Sequence, residues 1–517
     1  MWQRIADGVF DGTLVALVIP RLSVKSMAQP ISSRSSLMEL EQMTAVRLTR
    51  YHQLAEELAD SIRAGTLRAG DRLPSVRDLR RQRGVSPSTI FQAYAHLESQ
   101  GLVEARPRSG YFVRPQRALH SGLLTAAPTT DRVTPVAISE LVFDLLGSTR
   151  DVDVVPLGSA FPAPELFPFS ELARNGARAM RRLLPEQVSG ALTAGDDTLR
   201  GHIRRRYALH GVPLHNDEPI ITNGAMEALN LCLQAVTQPG DVVVVESPTF
   251  YAALQALERL HLNAVEVPTD PAEGVDLNAL EDLLKRQKVA ACWFMPTFQN
   301  PLGALMPNAR KEALVQLLAR YQVPLIEDDV YSELHFGPRR PLPAKAFDRE
   351  GLVLHCSSFS KCLAPGYRVG WAAAGRYSRD VERLKMMTSL ATSIPSQLAL
   401  AEYLVQGGYD RHLRHLRGTL ESQHRAARAL IQRYFPAGTR MTEPKGGYFV
   451  WLELPPTVDA LAVHQQAMAR SISTAPGALF SADRRFSHHL RLNVGHPVDA
   501  RFKSALKTLA ALVCPGQ

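Results

Sequence analysis

The stretch SSFSKCLAPGYRVGW, Ser357 to Trp371, holds a single lysine, Lys361, among small and hydroxylic residues, with Arg368 seven positions on. A solvated lysine usually sits among other charges. Small neighbours instead let a rigid partner lie close to the backbone beside the amine, and a lysine amine is a nucleophile for carbonyl carbon. Other residues suited to such chemistry follow short apolar runs. IEDDVYSEL sets Asp328 and Tyr331 three apart. FQNPLG offers Asn300, a neutral donor, before a proline that a cis bond would suit. ESPTFYAAL supplies Phe250, an aromatic able to stack on a flat ring. ITNGAMEALNLCLQAV turns from an apolar run into a helical pattern at Gly224–Ala225–Met226, and free N–H groups at a helix start suit a phosphate.

A lysine for a Schiff base, a carboxylate for a pyridinium nitrogen, and donors for a phenolate and a phosphate make up the requirements of pyridoxal 5'-phosphate. The elements that must position them are short apolar runs bounded by turn signals: PIITNG, DVVVVES, NAVEVP, AACWFMP, PLIEDD, GLVLHCSS and RVGWAAAG. Helical segments lie between most of them, which predicts an α/β fold with a mainly parallel sheet. Ligands of such sheets bind at the carboxyl ends of the strands, where these polar residues fall.

Residues 151–517 resemble a fold type I, class I/II aminotransferase, with a smaller C-terminal domain. Carried over residue by residue, the resemblance makes Lys361 the Schiff-base and catalytic lysine. Asp328 becomes the partner of the pyridinium nitrogen, and Asn300 and Tyr331 the donors to the phenolate. Ser358, Arg368 and the Gly224–Ala225–Met226 backbone become the phosphate grip, and Phe250 the stacking ring. In LRLNVG, Arg491 stands at the family's carboxylate-binding arginine, whose planar fork matches an amino-acid carboxylate. Singly, Asp328 would pass for a loop cap and Arg491 for a surface ion pair; six pieces in the family's order argue together. One departure is that Ser189–Leu192 occupy a stretch where the family often has a tyrosine reaching the partner's phosphate. His488, His489 and His335 carry no such support and read as solvated.

A different signal lies near the N-terminus. TRYHQLAEELADSIRAG repeats Leu54, Leu58 and Ile62 at helical spacing. Ser75 is placed to cap VRDLRRQR, and Ser86 to cap PSTIFQAYAHLESQG, with Pro87 at the first helical position. LVEARPRSGYFVRP then alternates around a turn and reads as a two-stranded wing. Through GDRLPSVRDL, GVSPSTIFQAYAHLESQGLV and RSGYFV the region resembles the GntR-type winged helix-turn-helix domain. That implies double-stranded DNA as partner, with Ser86, Ser88 and Thr89 facing base edges, Arg77 on a base or phosphate, and the Arg108–Gly110 tip near the minor groove or backbone. Some GntR proteins carry arginine at the Pro87 position and on the Phe91 face; here base readout must differ. From Met43 to Arg117 there are 13 Arg, no Lys and 7 acidic residues, a net +6 of the chain's +9, which points the same segment at an anionic partner.

The chain has 517 residues, too many for one core. The expected parts are a disordered extension or mis-assigned start at 1–42, with Met38 and Met43 as internal alternatives; a winged-helix domain at 43–115; a linker with a short helix at 116–150; and the aminotransferase-like domain at 151–517. Five scattered cysteines read as reduced cytosolic thiols, and no metal site is expected. No run is long or apolar enough to span a bilayer. VFDGTLVALVIP makes at best a poor signal peptide.

A winged helix joined to an aminotransferase-like domain resembles the MocR subfamily of GntR regulators. The resemblance implies a cytoplasmic homodimer that senses an amino acid or amine and controls operator binding. Two other readings remain: a working aminotransferase with a basic appendage, and a sensor of the cofactor itself.

Overall fold

A computed structural model describes residues 50–63, 66–99, 102–106, 109–114, 133–147, 153–186, 194–212, 214–215 and 218–514. Residues 1–42, most of the expected linker, Arg108 and Ser189–Leu192 lie outside the described residues.

The described chain opens with α1 (Arg50–Arg63), α2 (Val76–Arg83) and α3 (Pro87–Ser99). Leu54 and Ile62 are buried and Leu58 packs half-buried beside them, as four-residue spacing on one helix face requires. Ser75 caps α2, its Oγ accepting from the Asp78 amide at 3.1 Å. Gly84, at φ 64°, closes that helix by donating to Arg80 O. Ser86 caps α3, its Oγ accepting from the Thr89 amide at 3.2 Å. The wing is β1 (Val103–Arg106) paired antiparallel with β2 (Gly110–Val113), Arg106 opposite Gly110. Ala55, Ala59, Ile90, Tyr94, Val103 and Val113 close a core shared by all five elements except α2, which adds Leu79.

The second unit is built on a nine-stranded sheet. Its strands are β3 (Thr134–Pro135), β4 (Ile220–Thr222), β5 (Val242–Ser247), β6 (Asn263–Asp270), β7 (Gly274–Val275), β8 (Ala291–Phe294), β9 (Leu325–Asp328), β10 (Val353–Ser358) and β11 (Gly370–Ala373). The spatial order is β3-β6-β5-β8-β9-β10-β11-β4, with β7 beside β6. The five strands from β6 to β10 along this order are parallel. β11 and β4 continue the sheet antiparallel. All seven apolar runs read from the sequence are strands of this sheet. Central strands are buried on both faces, so they read as continuous apolar runs.

The chain joins this sheet earlier than residue 151. β3 pairs with β6, and Val136 and Ile138 enter the main core. The helix Ser139–Gly147 follows at once. Its start is held by Glu258, whose Oε2 accepts from the Ile138 amide at 2.8 Å and from the Ser139 amide and hydroxyl at 2.9 Å.

A second, four-stranded sheet carries β12 (Arg440–Met441), β13 (Phe449–Glu453), β14 (Ala475–Pro476) and β15 (His489–Asn493), in the order β12-β13-β15-β14 and antiparallel throughout. Alternation divides the faces. Val450, Leu452, Leu490 and Leu492 join a core with Phe502, Leu506 and Leu509 of the helix Ala500–Val513. Phe449, Trp451 and Glu453 stand opposite Asn493, Arg491 and His489 on the other face. Residues 153–161 return to this sheet, Val155 bridging Ile472.

Candidate functional site

β9 ends at Asp328 and β10 at Ser358, so both parallel strands deliver their last residues to one edge. Lys361 sits on the turn after β10. Its Nζ donates to Ala160 O at 2.9 Å and lies 3.6 Å from the centroid of the Phe161 ring. Burial pushes the lysine down to about 7, helped by the Arg491 and Arg368 charges and opposed by Asp328. Asp328 is pushed up to about 7, by burial first and by Asp329 second, against the pull of Lys361. The mutual attraction of these two groups is therefore weaker than the cost of burying either charge.

Arg491 comes from β15 of the other sheet and is fully buried. Its Nη1 donates to Asn300 Oδ1 at 3.1 Å, and its Nη2 donates to Gly158 O at 2.6 Å and Ser159 O at 3.3 Å. The guanidinium lies 4.3 Å from the Phe449 ring centroid. Asn300, before a cis proline, is fully buried, and among the described residues neither its Nδ2 nor Asp328 Oδ1 has a hydrogen-bond partner. Tyr331 is buried, its phenol held protonated by desolvation, and it meets Tyr448 edge-on at 5.6 Å. Phe250 immediately precedes the helix α4 (Tyr251–Arg259) and is tilted against Tyr251 at 4.9 Å.

A second cluster faces the start of the helix Ala225–Val236. Gly224 has φ 83°, and a Cβ there would stand 2.5 Å from Arg368 Nη2. A Cβ on Gly370 would stand 2.6 Å from the Ala225 nitrogen. Two missing side chains thus let the helix start, β11 and the Arg368 guanidinium converge. Arg368 Nη1 donates to Ser360 Oγ at 3.4 Å, and the Ser360 amide donates to the buried Ser358 Oγ at 3.3 Å.

Residues 189–509 match the family described as aminotransferase class I and II, and residues 50–113 match bacterial regulatory proteins of the gntR family. The HTH-type transcriptional regulator YdcR of Escherichia coli (strain K12) is 50% identical over 467 residues, covering 90% of this chain and 99% of that protein. The aromatic-amino-acid aminotransferase 1 of Thermococcus litoralis is 32% identical over 72% of this chain and 90% of its own. Among solved structures, the multiple substrate aminotransferase of Thermococcus profundus superposes with a TM-score of 0.68 at 30% identity, covering 73% of this chain and 95% of that one. The chain belongs to the MocR subfamily of GntR regulators.

Membership in the class I and II aminotransferases implies that this MocR chain binds pyridoxal phosphate. The residues present fit that group. Two buried polar atoms, one acceptor on Asp328 and one donor on Asn300, stand without partners. An unsatisfied buried group is costly, so a ligand that completes both is accommodated readily. The Gly224 turn leaves a cradle that a Cβ would fill.

On the DNA side, Arg77 of α2 is exposed. Ser86 Oγ lies 2.8 Å from both Ser88 Oγ and Thr89 Oγ1, so the three hydroxyls at the start of α3 form one hydrogen-bonded group. Gly110 has φ 99° and lies against the Arg72 guanidinium, 3.3 Å from where its Cβ would be. Phe91 is 53% exposed on α3 and takes no part in the core.

Several residues of both sites escaped the sequence. Ala160, Phe161 and Tyr448 belong to the Lys361 surroundings, Tyr448 donating to the same Ala160 O at 2.9 Å. Ser360 adjoins Arg368, and its place in SSFSK was its one signal. Arg72 flanks the wing through a bridge to Phe112. His489 and His335, expected to be solvated, are buried. His489 stacks on Trp451, one strand away, and His335 bridges Gly446 while its Nδ1 meets Gly337 O at 2.7 Å. Pairing with Gly446 drew His335 inward, and pairing with Glu453 on β13 drew His489 inward.

Among the described residues no helix is long and apolar enough to cross a membrane.

Proposed function

We propose that the protein is a pyridoxal phosphate-dependent transcriptional regulator of the cytoplasm that senses an amino acid or amine and changes its grip on a DNA operator. The observation that carries this reading is the pair of unpartnered buried atoms, Asp328 Oδ1 and Asn300 Nδ2, in a pocket whose lysine is held near neutrality.

When bound, the cofactor supplies an aldehyde carbon and an electron-withdrawing ring. The protein's own residues would do the rest. Lys361, whose amine burial pushes down to about 7, offers a nucleophile. Asp328 would accept a hydrogen bond from the protonated ring nitrogen, and Asn300 and Tyr331 would donate to the phenolate oxygen. The Gly224–Ala225–Met226 amides, Ser358 and Arg368 would hold the phosphate, and Phe250 would stack on the ring. Arg491 binds the effector's carboxylate with its planar fork. The desolvated guanidinium would give an incoming carboxylate an oppositely charged partner in exchange for its neutral carbonyl contacts to Gly158 and Ser159.

Arg77, Ser86, Ser88, Thr89, Arg108 and Gly110 would meet DNA, with Phe91 offering an apolar surface to a thymine methyl. A homodimer matches paired half-sites. Met386, Met387 and Leu390 are exposed apolar side chains on or just after the helix Ser378–Thr388, a surface that a second copy would cover.

A second reading keeps transamination. The relatives named as aminotransferases, such as that of Thermococcus litoralis, support it, because Lys361, Asp328 and Arg491 together permit at least a half-reaction. Fluorescence anisotropy on a labelled promoter fragment, with a panel of amino acids and amines, tests the regulator. If none shifts the titration while the protein turns over an amino and keto acid pair efficiently, the enzyme reading replaces it. A shift caused by free cofactor alone would make the protein a cofactor sensor.

A further inference from the structure

The geometry points to a divalent transition-metal site formed by Glu453, His488 and His489 on the small sheet, for a cation of the zinc class. β13 and β15 set Glu453 directly opposite His489. His488 precedes the strand, so the alternation that would send it to the far face does not bind it. Its ring instead lies 4.4 Å from that of His489, tilted by 42°. One ligand atom from each of the three side chains lies within 4.8 Å of the other two.

Two imidazoles and a carboxylate are a donor set suited to zinc, with a fourth position left to water. Tetrahedral bonds of about 2.0–2.2 Å set ligand atoms about 3.4 Å apart. Closing onto the ion therefore requires side-chain shifts on the order of an ångström.

An independent observation favours a ligand here. His489 is only 8% exposed, and its Nδ1 is buried with no hydrogen-bond partner among the described residues. Its ring cannot turn freely to find one: Trp451 stacks on it at 5.3 Å and Phe486 meets it edge-on at 5.4 Å. Arg440 Nη1, 3.4 Å from Glu453 Oε2, orients the carboxylate from outside. Aromatic walls and an outer polar contact are the kind of surroundings that hold metal ligands in one orientation. The site shares its sheet face with Arg491, two residues along β15, and it does not depend on how the cofactor pocket is used.

The test uses the full-length protein with its cofactor, stripped of metal by a chelator. Zinc is titrated in competition with a chromophoric chelator, and nickel is added separately to follow tryptophan fluorescence. The wild type should bind one equivalent of zinc with a Kd in the micromolar range or tighter, and nickel should quench Trp451. His488→Ala, at a half-buried position before the strand, and Glu453→Gln should each weaken zinc binding about 10-fold or more and abolish the quench, with the cofactor spectrum unchanged. Absence of saturable binding in the wild type overturns the proposal. So does equal binding by wild type and His488→Ala, which would assign the metal to cysteines or to the cofactor.

Discussion

Arg491 Nη1 donates to Asn300 Oδ1 at 3.1 Å, and that single contact fixes which way the amide faces. With the oxygen engaged by a cation, the buried Nδ2 is turned away as a free donor. The candidate effector arginine and the candidate cofactor donor are thus one hydrogen-bonded unit, although 191 residues separate them.

Replacing the arginine should disturb both. Arg491→Ala is expected to abolish the change in operator affinity on effector addition, a change of roughly 5- to 150-fold in the wild type. It also leaves Gly158 O and Asn300 Oδ1 without their charged donor, so folding stability should fall by about 1–3 kcal/mol. Anisotropy titrations and thermal melts read the two effects separately. Retained effector response in this variant would exclude Arg491 as the carboxylate site.

Lys361→Ala should remove the visible absorbance that the purified protein owes to its bound cofactor, or move it to that of free cofactor. An unchanged visible spectrum would sink the assignment of the lysine.

Stability of the cofactor-free protein should depend on pH in a definite direction. Unfolded, Asp328 releases its proton near 3.8; folded, it keeps it up to about 7. Between these values the folded state binds the extra proton, so stability from this group falls as pH rises from about 4 to 7, by up to about 4 kcal/mol. Lys361 works the other way, its folded value of about 7 lying below the unfolded 10.5, so stability rises from pH 7 upward. Asp328→Asn should flatten the acidic limb of a plot of Tm against pH and leave the alkaline limb. An unchanged acidic limb would show that other groups govern it.

Gly224→Ala should displace the Arg368 guanidinium, because the new Cβ falls 2.5 Å from Nη2 at a positive φ. We expect at least a 10-fold weaker affinity for pyridoxal phosphate by equilibrium dialysis, with little change in operator binding by the cofactor-free protein.

At the wing, Arg72→Ala should weaken DNA binding nearly equally across sequences and reduce the salt slope by about one. Arg77→Ala should cost about 1–3 kcal/mol and relax specificity if that arginine reaches a base. Filter binding over a salt series, on operator and random duplexes, distinguishes the two.

What could be read in advance followed local physics. Runs such as VVVVES and VLHCSS are β-branched or apolar, short and bounded by turns, so they announced themselves as buried strands. Ser75 and Ser86 signalled helix starts through their own cap chemistry. The Phe161 loop gave no such sign, since Ala160 meets Lys361 across 201 residues. β3 is two residues long and one is proline, too little for any periodicity. The inward turn of His489 is decided by its opposite number on β13 and could not be seen in LRLNVG alone.

The Glu258 clamp on Ile138 and Ser139 has a geometric consequence for the operator. It moors the incoming chain at the β6 edge of the large sheet, so eighteen residues, Pro115 to Arg132, separate the end of the wing from that mooring. Eighteen residues reach no farther than about 65 Å, however they run. In a dimer the two moorings then bound how far apart two half-sites can lie and still be held at once. Lengthening the promoter spacing beyond that limit would turn paired recognition into single-site attachment.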